Sequence, residues 1–137
     1  MIYVGVKTGG PGAFAICRGM KDEIEARAFD PAEFTKALQN IDPMDARCVI
    51  EMPDEGLIER AVKPINPAVF ARMYCRSRGI PFMFVKIGNL KREYMAKGTL
   101  AEECKIRYPE IELRGSTEEQ EVTAAAVLLA KYAKRYL

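Results

Sequence analysis

The chain has 137 residues, about one domain's length, and 49% of them are apolar, so it can bury a core without disulfide or metal staples. It has no histidine, which excludes Ser-His and Cys-His nucleophilic schemes, and its four cysteines lie too far apart for a typical zinc site. No segment has the ~20 apolar residues of a membrane helix, and no signal pattern precedes the first strand. We therefore expect one cytoplasmic domain over residues 1–137 that does not interact with membranes.

Basic residues are concentrated in the second half of the chain. Residues 1–59 contain 6 Lys/Arg and 11 Asp/Glu, whereas residues 60–137 contain 15 and 8. The stretch 60–101 has one acid, Glu93, and nine basic residues: Arg60, Lys63, Arg72, Arg76, Arg78, Lys86, Lys91, Arg92 and Lys97. This asymmetry is typical of a surface that binds a polyanion, and the alternative is a solvated basic surface without a partner.

The first 30 residues predict an antiparallel meander of three strands. Apolar and alternating patterns indicate strands over 2–6, 13–17 and 24–29. The stretch 8–12, Thr-Gly-Gly-Pro-Gly, has the composition of a turn between two such strands. It lacks the Gly-Lys-Ser/Thr ending of a phosphate-binding loop, so we interpret it as a hairpin turn.

The middle of the chain alternates helices and strands. Asp30-Pro31 starts a first helix, and a buried strand follows over 47–52. The polar connection 53–64 has room for a short helix. Asn66-Pro67 starts another helix, which ends near Gly79. Its predicted apolar side consists of Val69, Phe70, Met73 and Tyr74.

The last third predicts one strand and three helices. The strand covers 80–87, and short helices cover 90–95 and 100–108. Ser116 or Thr117 caps a long helix over about 118–136, whose inward stripe comprises Val122, Ala125, Leu129 and Ala133. With the two short helices counted as one helical element, the order β-β-β-α-β-α-β-α-α predicts an α/β fold. We expect a mixed five-stranded sheet, an antiparallel meander plus parallel strands, flanked by helices in the RNase H-like order.

Four stretches, in this order along the chain, resemble the RuvC-like Holliday-junction resolvases. Val4-Gly5-Val6 with Thr8-Gly9-Gly10 is similar to the family's first strand and glycine turn, and Val49-Ile50-Glu51 to the strand with its catalytic Glu. The stretch 87–92, Ile-Gly-Asn-Leu-Lys-Arg, resembles the segment where basic residues approach DNA, and 121–130 resembles the family's last helix. The resemblance covers nearly the whole chain and implies the RNase H-like fold.

The resemblance is incomplete at the catalytic positions. Family members carry Asp where this chain has Lys7, and an acid near Ala125. An ammonium next to divalent metal ions would repel them by several kcal/mol at ~4 Å and an effective dielectric near ~20. We therefore expect no metal cofactor, or Glu51 as a ligand if there is one. Glu51 can instead form an ion pair with Lys7.

Two acids at the start of the last helix could compensate for the missing ligands. Glu118 and Glu121 each lie one turn before a residue of the inward stripe and could point at Glu51. Their alternative role is structural, since acids favour the positive end of a helix. If the chain is an active Mg²⁺- or Mn²⁺-dependent junction endonuclease, Glu51 would act with Glu118 or Glu121.

The residues and the resemblance together lead us to expect a pseudo-nuclease that binds branched or other DNA. Phosphate contacts would come from Lys86, Lys91, Arg92 and Lys97. The resemblance implies homodimers, with the helix from 66 to 79 as the dimer or DNA face. Tyr94, which has polar or charged neighbours, is a candidate for stacking on unpaired bases. The rival hypotheses are the active endonuclease and a protein-interaction subunit that uses neither DNA nor metal.

Overall fold

The sheet has the order and directions that the sequence predicts. The computed structural model describes residues 1–19, 23–53 and 66–137. The five strands line up as β3-β2-β1-β4-β5. The pairs β1–β2 and β2–β3 are antiparallel, whereas β1–β4 and β4–β5 are parallel. This mixed sheet is consistent with the RNase H-like description. The strands are β1 (Ile2–Lys7), β2 (Ala13–Arg18), β3 (Glu23–Ala28), β4 (Ala46–Glu51) and β5 (Phe82–Val85).

The described residues form five α-helices, two between strands and three after β5, and the caps expected from the sequence start three of them. The side chains of Asp30, Asn66 and Ser116 accept hydrogen bonds from first-turn amides. Ser116 forms a full capping box with Glu119. The helices are α1 (Pro31–Leu38), α2 (Pro67–Arg78), α3 (Ile87–Glu93), α4 (Leu100–Arg107) and α5 (Thr117–Tyr136), with a 3₁₀ turn at Pro43–Asp45.

The sheet separates two apolar cores. On one face, α1 and α2 cover a core that includes Val6, Ile50 and Phe34. On the other face, α3, α4 and α5 cover a core that contains the buried stretch 124–130 of α5. Side chains alternate between the faces of a strand, so Lys7 and Glu51 point to the α5 side of the sheet.

Gly5 allows α5 to pack directly on the middle of β1. A Cβ atom at this position would overlap the carbonyl oxygen of Ala126 and the amide nitrogen of Ala130, and it would lie 2.8 Å from the carbonyl carbon of Leu129. Only glycine permits such a close approach of two backbones. The contact fixes α5 over the centre of the sheet.

The structure corrects the boundaries of the fifth strand and the helix after it. The predicted strand over 80–87 covers only Phe82–Val85, because the amide of Ile80 bonds the carbonyl of Cys75 in the α2 C-terminal turn. The helix predicted at 90–95 begins at Ile87, because the carbonyl of Lys86 accepts from the amides at 89 and 90. Lys86 therefore leaves the strand.

The predicted apolar side of α2 is partly wrong. The buried residues are Ala68, Ala71 and Cys75, whereas Met73 is 62% exposed. Small side chains allow α2 to lie close to the sheet, so Phe70 and Tyr74 pack at the side of the helix. The predicted inward stripe of α5 is confirmed, since all four of its members are buried.

Three further expectations concern the cysteines, the connection after β4 and the membrane. All four cysteines are buried and free, and burial raises the pKa of Cys104 to about 11.

The short helix expected between Pro53 and Pro64 falls on 54–65, outside the described residues. Among the helices that are described, none combines the length and the apolar character required to cross a membrane.

Candidate nucleic-acid cleft

A cleft opens where the parallel strands β1 and β4 end. The carboxyl ends of parallel strands meet at one edge of the sheet, and here β5 ends at the same edge. The cleft has a volume of about 1120 Å³. The turn after β1, the start of α3 and the first turn of α5 surround it. Its lining includes Lys7, Gly9, Gly10, Glu51, Lys86, Asn89, Arg92, Thr99, Thr117, Glu118, Glu121 and Val122.

An ion pair between Lys7 and Glu51 forms the floor of this cleft. The Nζ atom of Lys7 lies 2.7 Å from Oε2 of Glu51, and the two side chains are 15% and 9% exposed. The ion pair considered from the sequence is therefore confirmed. At this distance, and largely withdrawn from water, the two opposite charges attract each other strongly.

Thr8 and Gly9 complete the surroundings of the ion pair. The hydroxyl of Thr8 lies 3.2 Å from the backbone oxygen of Glu51 and 3.5 Å from its Oε1 atom, so it can donate to either. A Cβ atom on Gly9 would lie 2.8 Å from the Nζ atom of Lys7. The glycine therefore leaves the ammonium the room that it occupies. The sequence indicated the glycine turn, but the contact of Thr8 depends on the register between β1 and β4.

Two of the four predicted DNA-binding residues line the cleft. Lys86 immediately precedes α3 and Arg92 lies in its last turn, and both side chains are exposed. The guanidinium of Arg92 donates to Oδ1 of Asn89, which also lines the cleft. This contact orients the arginine along the wall. Sequence analysis did not single out Asn89.

The other two predicted DNA-binding residues lie outside the cleft lining. Lys91 belongs to α3 and Lys97 to the connection before α4, and both side chains are exposed. The structure thus separates the predicted basic set into a wall of the cleft and a neighbouring surface.

Glu121 does not point at Glu51, which corrects the expectation for this residue. Its two carboxylate oxygens accept hydrogen bonds from the amides of Leu100 (2.8 Å) and Ala101 (3.0 Å). These are the first two amides of α4, which have no partner within the helix. The side-chain oxygen of Thr99 accepts a hydrogen bond from the third amide of the helix, that of Glu102. Glu121 therefore attaches α4 to α5.

Glu118 lies at the rim of the cleft and is exposed. Its Oε1 atom is near Gly10, at 3.5 Å from the position of a Cβ atom there. The described residues offer its carboxylate no hydrogen bond or ion pair. Of the two acids proposed to assist Glu51, only Glu118 is therefore available to a ligand in the cleft.

The donor set does not fit a two-metal site. Glu51 already has an ammonium at 2.7 Å, and Glu121 uses both oxygens on α4. Ala125 is fully buried and offers no ligand atom. Within residues 1–19, 23–53 and 66–137, no group of three or more His, Cys, Asp or Glu side chains is arranged to hold a metal ion. A divalent ion would have to displace Lys7 first, against charge repulsion.

Tyr94 is a core residue, so its predicted role in base stacking is wrong. It is 2% exposed, and its hydroxyl donates to the backbone oxygen of Leu128 at 3.2 Å. The guanidinium groups of Arg107 and Arg135 lie over its ring at 5.1 and 5.7 Å. Burial raises the pKa of the Tyr94 hydroxyl. Its polar sequence neighbours had suggested exposure, but α3 turns this side chain inward onto α5.

Comparison of the chain with models of protein families and with curated proteins gives no match. The functional interpretation therefore rests on the geometry of the cleft.

Proposed function

We propose that this chain is a DNA-binding domain of the RuvC type that recognises branched DNA through the cleft and lacks metal-dependent cleavage. One observation carries the proposal: an ion pair of Lys7 and Glu51 occupies the strand ends at which metal-binding acids would meet. Lys86 and Arg92 stand on the wall of the same cleft. The same lining holds Glu118 and Glu121, so the positive excess comes from the basic segment 86–97, which continues beyond the cleft through Lys91 and Lys97 and suits a polyanion.

The charge distribution around the cleft supports phosphate contacts as the main source of affinity. Lys86, Lys91, Arg92 and Lys97 lie on one continuous segment, residues 86–97, and all four are exposed. Each phosphate that a protein neutralises releases counterions, so the affinity falls linearly with the logarithm of salt, with a slope of about −0.9 per contact. Four contacts would predict a slope of about −3.6.

Salt-dependent binding to a four-way junction tests the proposal. Fluorescence anisotropy would be measured with a labelled junction and a linear duplex of the same length, in EDTA and in Mg²⁺. We expect tighter binding to the junction, no requirement for the metal, and loss of most binding in Lys91→Glu/Arg92→Glu.

The matched control reverses two exposed cations on other elements, Lys36→Glu on α1 and Lys105→Glu on α4. This variant should bind within about twofold of the wild type, because only nearby charges contribute directly to phosphate contacts. If the wild type binds the junction at low salt no better than Lys91→Glu/Arg92→Glu does, the nucleic-acid hypothesis must be dropped.

A homodimer with α2 at its interface is the second part of the proposal. The exposed surface of α2 presents Met73, and Arg76 is also exposed on this helix. An exposed apolar side chain among cations suits either a subunit contact or a DNA contact. Light scattering after size exclusion would measure the mass of the wild type and of Met73→Asp. A monomeric wild type at micromolar concentration would remove the dimer from the proposal.

A further inference from the structure

We infer that Lys7 is itself a phosphate ligand, and that the floor of the cleft holds one phosphate of a nucleic-acid strand against its ammonium group. This inference rests on the proposed function, because it assigns a subsite within the proposed DNA cleft. It gives Lys7 a direct role in binding rather than a purely structural one. Glu51 is then a positioning residue that acts through Lys7.

The ammonium of Lys7 has hydrogen-bonding capacity that the protein does not use. A lysine carries three N–H donors. Within the described part of the chain, Nζ contacts Oε2 of Glu51 at 2.7 Å, which engages one of these donors and leaves two for a ligand. The side chain is 15% exposed, and it lines the cleft. A cation with uncommitted donors at the floor of a cleft suits an anionic acceptor such as a phosphate oxygen.

The surroundings keep this ammonium in place and accessible. Glu51 holds it electrostatically, and Gly9 leaves space where any Cβ atom would lie 2.8 Å from Nζ. Lys86 and Arg92 add positive charge on the wall, and the exposed carboxylate of Glu118 lies at the rim of the same cleft. Glu51 is held by Lys7 and Glu121 by two amides of α4, so a bound phosphate would interact with the set of three cations rather than with an isolated one.

The basic surface beyond the cleft favours a strand over a free nucleotide. The cleft itself, with about 1120 Å³, is close in size to small-molecule sites, which usually have about 300–1,000 Å³, and has room for either ligand. Lys91 and Lys97, exposed outside the cleft lining, would contact only a ligand that extends beyond it. A free phosphate or a nucleoside monophosphate offers the same chemistry, so the experiment must separate these sources.

A double-mutant cycle on the ion pair tests the inference. The variants are Lys7→Gln, Glu51→Gln and Lys7→Gln/Glu51→Gln, and the readouts are the affinity and the salt slope of junction binding. The double variant keeps the net charge of the floor but removes the phosphate ligand, so it should bind roughly tenfold or more weakly with the wild-type slope. Glu51→Gln leaves the charge of Lys7 uncompensated, so it should bind at least as tightly as the wild type and steepen the slope by up to about 0.9, whereas Lys7→Gln should bind most weakly. The neutral double variant avoids an uncompensated buried carboxylate, so its folding does not depend on the pair.

Two further variants complete the design. Lys7→Arg should retain the slope, and Lys36→Gln, an equal loss of charge on α1, should leave both slope and affinity within about twofold.

Competition with inorganic phosphate, a nucleoside monophosphate and a single-stranded tetranucleotide identifies which kind of ligand supplies the bound phosphate. We expect only the tetranucleotide to compete at micromolar concentration.

The outcomes separate the subsite from the function. If Lys7→Gln/Glu51→Gln folds and binds the junction with the wild-type affinity, Lys7 does not contact phosphate, although the proposed function stands. If the wild type binds no junction, the proposed function and the inference both fail. Competition by the monophosphate alone would overturn the assignment to a strand.

Discussion

The middle and the end of strand β1 meet the same helix in opposite ways. At Gly5 the backbones of β1 and α5 touch, and even a methyl group would collide with Ala126 and Ala130. Two residues later, Lys7 lies in a cleft that extends to Glu118 in the first turn of α5. The close crossing fixes the helix, and the divergence beyond it opens space for charged groups. Tight packing in one place thus creates the cleft in the other.

The largest expected effect is at the crossing. Gly5→Val places branched carbon atoms against the α5 backbone, which cannot move without displacing the buried stretch 124–130. We expect a loss of about 3 kcal/mol or more in the free energy of unfolding, measured by urea denaturation. Gly88→Ala is the matched control, because a Cβ there meets nothing within 4 Å. Equal stability of Gly5→Val and wild type would disprove the direct backbone contact.

The next effect is at the floor of the cleft. Lys7→Asp replaces the ion pair with two adjacent carboxylates, so we expect a loss of roughly 3 kcal/mol in metal-free buffer. Mg²⁺ or Mn²⁺ should recover part of this stability in the variant and none in the wild type, as a shift of Tm. Junction cleavage should not appear, since Ala125 and the engaged Glu121 still leave ligands missing. A wild type whose Tm rises with Mg²⁺ as much as that of the variant would contradict this view.

A smaller effect is expected where Glu121 holds α4. Glu121→Ala leaves the amides of Leu100 and Ala101 without their acceptors, which should cost about 1–2 kcal/mol. Hydrogen exchange should accelerate at these two amides in particular. Glu118→Ala should change stability by less than about 0.5 kcal/mol. If the Glu121 variant leaves exchange in α4 unchanged while Glu118→Ala accelerates it, the two roles are reversed.

The smallest effect concerns Tyr94. Tyr94→Phe removes one buried hydrogen bond to Leu128 and leaves the ring in place, so we expect a loss of about 1 kcal/mol. Junction affinity should stay the same, because this side chain is inaccessible to bases. Tyr3→Phe, whose hydroxyl has no described hydrogen bond, serves as the control for stability. A weaker junction affinity in Tyr94→Phe with unchanged stability would restore the stacking hypothesis.

Much of the fold could be predicted because local signals and topology agree. Pro and Gly turns, Asx and Ser caps and the alternation of β3 define most elements, and their order allows few sheet topologies. The end of β5 could not be predicted, because the β-branched Ile87 extends the β-forming run past Lys86. The α3 hydrogen bonds at the carbonyl of Lys86 decide that boundary.

The candidate site was only partly predictable. Lys7 and Glu51 follow two predicted strands, so their meeting depended only on β1 and β4 being neighbours. The role of Glu121 depended on where a short helix 20 residues away in sequence begins, which no periodicity of α5 reveals. Tyr94 was misjudged because its charged sequence neighbours point outward from α3 while its own side chain packs inward.

Junction cleavage and binding, measured together on the wild type and on Glu51→Gln, test most directly whether the ion pair has replaced a metal centre. We predict that the wild type binds the four-way junction equally well in EDTA, Mg²⁺ and Mn²⁺ and yields no cleavage product in any of them. Glu51→Gln should behave in the same way. Robust metal-dependent cleavage by the wild type that disappears in Glu51→Gln would contradict this prediction and establish an active endonuclease.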